Sequence, residues 1–258
     1  MKKYILLLAV IFFSILCSGC LQREPELSDL DKIIQRGYLI VGVKEDSPPF
    51  GYYKDGKLTG IDIDIAKNIA NNIFQSESPD NIKFVKVNPQ NKIAKLNSEE
   101  VDIVVAAMSI NEKRKLVINF SKPYFIANQK LMVLKNSKIA HIQYFNTSGR
   151  LGVILGTTGE RTVRLAAPTA RITGARSYKE AVNLLLAGQI DGIVGDDCIL
   201  QAYITDKTKL LGRAYSHELY AVATRKSDKS AELLDEVNIA IAAMIDEKKI
   251  KNFRKTIK

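Results

Sequence analysis

The spacing of apolar residues changes period several times along the chain, and each period predicts an element. Leu30 to Gln35, closed by Gly37, reads as a short helix. Tyr38-Leu-Ile-Val-Gly-Val43 is short, apolar and β-branched, the pattern of a buried strand. Ile61, Ile65, Ile69 and Ile73 recur at one helical face with Ala66 and Ala70 beside them, which predicts an amphipathic helix started by Asp62 or Asp64. Ile82 to Val87 alternates like a half-buried strand, Ile93 to Leu96 fits a short helix, and Val101 to Met108 a strand. Lys130 to Lys135 and Leu151 to Leu155 add two more strands. Ser177 and Glu180 have capping-box spacing ahead of the apolar helix Ala181 to Leu186, which Gly188 ends. Ile190 to Val194 and Leu219 to Thr224 read as strands, and Ala231 to Met244 as a long final helix. This β-α-β-α order predicts an α/β fold with mostly parallel sheets.

The N-terminus follows a different logic. Met1-Lys2-Lys3 is positive, Tyr4 to Leu16 is almost unbroken apolar sequence, and Cys17-Ser18-Gly19-Cys20 follows. The apolar run is too short for a comfortable transmembrane helix and has the layout of a secretory signal peptide. Small residues before Cys20 resemble a bacterial lipoprotein processing site. We therefore expect a signal peptide over residues 1–19, lipidation of Cys20 as a membrane anchor, and a polar tether over residues 20–28. The function of the remainder is then extracytoplasmic. With Cys17 removed and Cys20 acylated, Cys198 has no partner for an intramolecular disulfide, and it reads as a buried small apolar residue.

Charge narrows the partners. Lys and Arg number 38 against 28 Asp and Glu, a formal net of +10. The basic residues are scattered, with no zinc-finger spacing, leucine-zipper heptads or RNA-recognition motif, so no nucleic-acid partner is expected. Two histidines, His141 and His217, lack any catalytic partner motif, and neither a Gly-x-Ser-x-Gly elbow nor a His-Glu-x-x-His site occurs. No cofactor or metal is implied, and an enzyme is not expected.

Parallel sheets gather chemistry where strands end and helices begin. Three such junctions stand out. In Val105 to Arg114, Ser109 or Asn111 can cap a helix whose first turn holds Arg114; a cation there opposes the helix dipole, and its planar fork can grip a carboxylate or serve a salt bridge. In Gly156-Thr-Thr-Gly-Glu160, Thr157 and Glu160 have capping-box spacing, and small residues let a ligand approach the backbone. In Ile193-Val-Gly-Asp-Asp197, two carboxylates end an apolar strand and can either meet a ligand ammonium or cap a helix.

Taken in order, six segments resemble one known family. They are Val41 to Gly51, Gly56 to Ala66, Val101 to Arg114, Asn119 to Tyr124, Gly156 to Glu160 and Asp191 to Asp196. Together they are similar to the family 3 extracellular solute-binding proteins, the polar amino-acid-binding components of ABC importers. The resemblance implies a two-lobed periplasmic-binding-protein fold, each lobe a mostly parallel sheet flanked by helices, with a two-strand hinge and a ligand cleft. It places residues 29–127 and 219–258 in lobe 1 and residues 128–218 in lobe 2. It implies that Arg114, Ser109 and the backbone at Ala107 hold the ligand α-carboxylate, that Thr158 and the backbone at Gly156 complete that site, and that Asp196 takes the α-ammonium. It also implies a permease and an ATPase as partners.

Side-chain specificity rests on Lys44 and Lys92. Ser47 stands where several relatives stack an aromatic ring on the ligand, and the Asn88 to Lys92 loop offers none. Gly-Val-Lys44 and a cation at Lys92 resemble the aspartate/glutamate-binding members, so an acidic amino acid is expected as ligand, with glutamine or another polar amino acid next. Each lysine can equally be a solvent-facing side chain. Two other functions share this fold: a periplasmic prephenate or arogenate dehydratase, and the sensory module of a receptor.

Overall fold

The computed structural model describes residues 26–247. The expected signal segment, Cys20, most of the tether and the basic tail from Lys248 lie outside the described residues. Among the described residues no helix is long and apolar enough to cross a membrane.

The chain opens with helix α1 (Asp29–Arg36), started by a capping box between Ser28 and Asp31 and closed by Gly37 in the left-handed conformation, φ +79°. Strand β1 (Leu39–Val43) then runs parallel to β5 (Ile82–Lys86) and β6 (Ile103–Val105). Between β1 and β5 lie a small antiparallel sheet of β2 (Asp46–Ser47), β3 (Gly51–Lys54) and β4 (Lys57–Thr59), and helix α2 (Ile61–Phe74). Helix α3 (Lys92–Asn97) precedes β6, and the short α4 (Glu112–Lys115) and β7 (Ile118–Phe120) follow it. The chain returns to this sheet much later as β14 (Ala223–Arg225), antiparallel to both β6 and β7, and ends in α8 (Ala231–Asp246), packed against α2. The first sheet therefore has the order β5-β1-β6-β14-β7.

The second sheet is built around the long strand β8 (Phe125–Leu134). Its order is β10-β9-β11-β8-β12, from β9 (Arg150–Ile154), β10 (Arg171–Ala175), β11 (Gly192–Asp196) and β12 (Thr208–Leu210), and β13 (Ser216–Tyr220) also pairs with β8. Helices α5 (Gly159–Ala166), α6 (Tyr178–Leu186) and α7 (Asp197–Gln201) connect them. Two lobes, each a sheet flanked by helices, are joined where β8 and β13 run antiparallel, Ala127 opposite Glu218.

The sheets are mixed rather than mostly parallel: β14 in one, and β8, β12 and β13 in the other, run against their neighbours. The apolar stretch Leu219 to Thr224, read as one strand, is split between β13 in the second sheet and β14 in the first. Periodicity records that a run is buried; it does not record which of two sheets buries it. The small sheet β2–β4, and β7, β10 and β12, escape the pattern because they are short or half-exposed.

One core cluster runs through both lobes. At the crossing, Phe50 meets Phe125 edge-on at 5.0 Å and Tyr220 at 5.2 Å, and Phe125 stacks on Tyr220 at 5.8 Å. These rings bury the strands that carry the chain between lobes. Cys198 is buried beside this cluster, and burial pushes its thiol well above the usual range, so it is an inert core residue.

Asp29 ties the first helix to the returning C-terminal segment. It is buried, pairs with Arg225 at 2.9 Å, and accepts a hydrogen bond from the Ser230 hydroxyl. Removing one member of a buried pair strands the other charge, at about 3 kcal/mol. Asp29→Asn is expected to lower the unfolding free energy by about that amount in urea titrations; an unchanged midpoint would show that the pair carries no stability.

Candidate functional site

The C-terminal ends of the two sheets face each other across a cleft. On the first lobe, β1 leads directly into Lys44, α3 begins at Lys92, and β6 leads through Ala107 and Ser109 to Arg114 in α4. On the second, β9 leads to Gly156 and Thr158 ahead of α5, and β11 ends at Asp196. The lobes touch here. Arg114 Nη2 donates to the Gly156 carbonyl at 3.1 Å, Gln90 Nε2 to the Leu155 carbonyl at 2.5 Å, and Tyr203 Oη to the Asp46 carbonyl at 2.8 Å.

Lys44 and Lys92 are buried, 4% and 3% exposed, so the solvent-facing reading fails for both. The Lys44 ammonium lies 3.6 Å from Asp46 and 5.5 Å from the centre of the Tyr178 ring. Lys92 Nζ donates to the Ala106 carbonyl at 3.1 Å. Burial depresses the pKa of both, and at Lys92 the next causes are the neighbouring cations Arg114 and Lys44, ahead of any carboxylate.

Arg114 is half-buried. Its Nη1 donates to the Ser109 carbonyl at 2.7 Å and its Nη2 to Gly156, two of the five N–H groups of a guanidinium. The cap of α4 is Asn111, whose Oδ1 accepts from the Arg114 amide at 2.9 Å, rather than Ser109. The helix is a single turn, so the dipole argument for Arg114 loses its force; its position between two lobes is the stronger one.

The sequence predicts Asp62 or Asp64 at the start of α2, and neither takes the cap position. Gly60 occupies the cap position instead, and Asp62 turns inward, fully buried. It accepts from the Tyr124 hydroxyl and from the Ala107 amide, both at 2.8 Å. The amide that the resemblance offers to a ligand carboxylate is thus already bonded to an internal one. Ala107 sits at φ +43°, a conformation a non-glycine residue adopts only when its surroundings hold it, and Asp62 is that hold.

The capping box of Thr157 and Glu160 does not form. Thr157 Oγ1 donates to the Ile154 carbonyl and accepts from the Gly159 amide, while Thr158 takes the cap position without a side-chain cap bond. Gly156 is glycine for two reasons: φ is +76°, and an added Cβ would lie 2.8 Å from the Pro89 carbonyl of the other lobe.

Asp196 likewise takes the cap position of α7 without a side-chain cap bond, and Asp197 accepts from the Cys198 amide at 2.9 Å. Asp196 is held by Tyr220 Oη at 2.6 Å, Tyr178 Oη at 3.3 Å and Gln129 Nε2 at 3.4 Å. Thr158 accepts from Gln129 Nε2 at 2.7 Å and gives its one proton to Glu218 at 2.8 Å. Tyr178, Tyr220, Gln129 and Glu218 were not foreseen. For Glu218 and Tyr220 a signal existed: alternation through Ser216 to Tyr220 puts both on one face. Beside Arg114 and Thr158, two adjoining cavities of about 400 and 520 Å³ open along the flank of the cleft. The arrangement places donors at Arg114, Lys44 and Lys92 against acceptors at Asp196 and Glu218, suited to a small zwitterion.

Burial pushes both Asp62 and Asp196 up to about 6. A carboxyl whose folded pKa is raised contributes stability that is complete below its unfolded value and lost as pH rises through the folded one. Thermal melts of the ligand-free protein should therefore show Asp62 and Asp196 favouring the fold more at pH 5 than at pH 7. Asp196→Asn is expected to flatten that gain; parallel profiles for variant and wild type would contradict the assignment.

Comparisons with known proteins bear on the family and the fold. The family described as bacterial extracellular solute-binding proteins, family 3, matches residues 39–256. The ABC transporter glutamine-binding protein GlnH of Bacillus subtilis (strain 168) is 32% identical over 258 residues, covering 95% of this chain and 93% of the relative. The glutamine-binding protein of Geobacillus stearothermophilus is 35% identical over 205 residues, 78% of each. The crystal structure of an ancestral amino acid-binding protein, AncCDT-1, a precursor of cyclohexadienyl dehydratase, superposes with a TM-score of 0.81 at 30% identity, over 89% of this chain and 99% of that one. These proteins are named for binding rather than turnover. The chain belongs to the family 3 bacterial extracellular solute-binding proteins, and it is an amino-acid-binding component of an ABC transporter, not an enzyme.

Proposed function

We propose that the cleft captures an acidic amino acid, glutamate or aspartate, and that the protein hands it to its importer from the outer face of the membrane, anchored through lipid at Cys20. Lobe 1, residues 29–127 and 219–258, then closes on lobe 2, residues 128–218, around the ligand. The α-carboxylate lies on Arg114, with Ser109 and the backbone amides at the start of α5, at Gly156 and Thr158; the α-ammonium lies on Asp196; the side chain reaches Lys44 and Lys92.

The observation that carries the acidic ligand is Lys92. Its ammonium is buried with one hydrogen bond, to Ala106, and its strongest charged neighbours are cations. An ammonium has three donors, and a desolvated cation among cations is best answered by an anion. A ligand carboxylate supplies that charge in a site from which water is excluded, where a charge-assisted bond is strongest. Glutamine is the second reading, favoured by the names of the two bacillar relatives. Its side-chain oxygen accepts from the same lysines without neutralising either.

Titration calorimetry with glutamate, aspartate and glutamine separates these readings. We expect glutamate or aspartate to bind more tightly than glutamine. Lys92→Ala should weaken the acidic ligand by about tenfold or more while changing glutamine less. Equal losses for both, or glutamine as the tighter ligand of the wild type, would exclude acidic selectivity and leave a glutamine-binding protein. Loss of all binding in Arg114→Ala is expected for either.

A further inference from the structure

Glu218 lies in the crossing strand β13 and inverts the usual order of burial. It is 6% exposed, while the adjacent Leu219 is 40% exposed. Burying a carboxylate and exposing a leucine costs stability on both counts. A structural ion pair would account for it, but among the described residues no basic group lies within ion-pairing distance of Glu218. Hydroxyls hold it instead: Ser216 donates to Oε1 at 2.7 Å and Thr158 to Oε2 at 2.8 Å. A carboxylate has about four lone-pair positions, so acceptor capacity remains.

Its neighbours are the two ends of the expected ligand. The charge of Glu218 acts on Arg114, which grips the carboxylate, and on Asp196, which takes the ammonium. Gln129 completes the group. Its Nε2 donates to Thr158 and Asp196, and its Oε1 is buried with no hydrogen-bond partner. Three acceptors, Asp196, Glu218 and Gln129 Oε1, thus gather around Thr158, and among the described residues neither carboxylate forms an ion pair. Such a cluster of acceptors suits a group that brings several N–H donors and a positive charge.

We propose that Glu218 is a second anionic acceptor for the ligand's α-ammonium group and a determinant of selectivity for amino acids over the corresponding acids that lack the amine. This rests on the amino-acid-binding reading and adds to it. Thr158 is a positioning residue here: its proton fixes the Glu218 carboxylate, and its oxygen fixes Gln129. An acid without the amine brings no cation to Glu218 and Asp196 and leaves both carboxylates unanswered, so it binds less tightly than the amino acid.

The test compares each amino acid with its des-amino counterpart, glutamate with glutarate and glutamine with glutaramate, by titration calorimetry on wild type, Glu218→Gln and Glu218→Asp. The glutamine variant is isosteric and can still accept from Thr158, and its ligand-free melting temperature reports whether it folds. We expect Glu218→Gln to weaken the amino acid by about tenfold or more while the des-amino acid binds as well or better, and Glu218→Asp, which keeps the charge, to retain most of the discrimination. An amino-acid affinity that survives Glu218→Gln unchanged would overturn the proposal. So would parallel loss of both ligands, which marks a purely structural role. A wild type that binds no amino acid would instead remove the underlying reading, and this inference with it.

Discussion

Five ionisable side chains, Lys44, Asp62, Lys92, Asp196 and Glu218, are withdrawn from water where the two lobes meet. Each costs several kcal/mol to bury unless a partner answers it, and the architecture of the cleft follows from that constraint. Asp62 is answered by Tyr124 and by the Ala107 amide, which fixes the turn leading to Ser109 and Arg114. Asp196 is answered by Tyr220 and Tyr178, and so is fastened to the crossing strand and to α6. Lys92 and Glu218 are answered least, one by a single carbonyl and the other by two hydroxyls. A site that leaves a cation and an anion incompletely paired is prepared for a ligand carrying both signs.

The same groups couple the lobes. Tyr220 belongs to β13, stacks against Phe125 of β8, and holds Asp196 through its hydroxyl. Arg114 reaches from the first lobe to the Gly156 carbonyl of the second, and Gly156 in turn lies against Pro89 of the first. The aromatic cluster at the crossing therefore shares residues with the charge network, so a ligand that satisfies the charges also favours the arrangement in which the lobes are in contact.

Much of this was legible in the sequence. The period of Ile61 to Ile73 gave α2, the β-rich run before Lys44 gave β1, and the junctions at Arg114, Gly156 and Asp196 converge on one cleft. What was misread shares a cause. Asp62 and Thr157 stand where a helix begins, and local spacing assigns such residues to capping, while at Asp196 it leaves capping and ligand binding open. The competing partners, Tyr124, Tyr178 and Tyr220, lie far away in sequence, and long-range hydrogen bonds leave no local pattern. Lys44 and Lys92 are candidates through the resemblance, but composition leaves the solvent-facing alternative open, and only the fold shows both enclosed. Splitting Leu219 to Thr224 between two sheets likewise depends on topology rather than periodicity.

The position of the bound amino acid is the most direct test of the cleft. A crystal structure of the protein grown with glutamate would decide it. The ligand is expected between the lobes, its α-carboxylate within hydrogen-bond distance of the Arg114 guanidinium, its ammonium on Asp196, and its side-chain carboxylate toward Lys92. Glutamate bound outside this cleft, or within it with the carboxylate turned away from Arg114, would contradict the account.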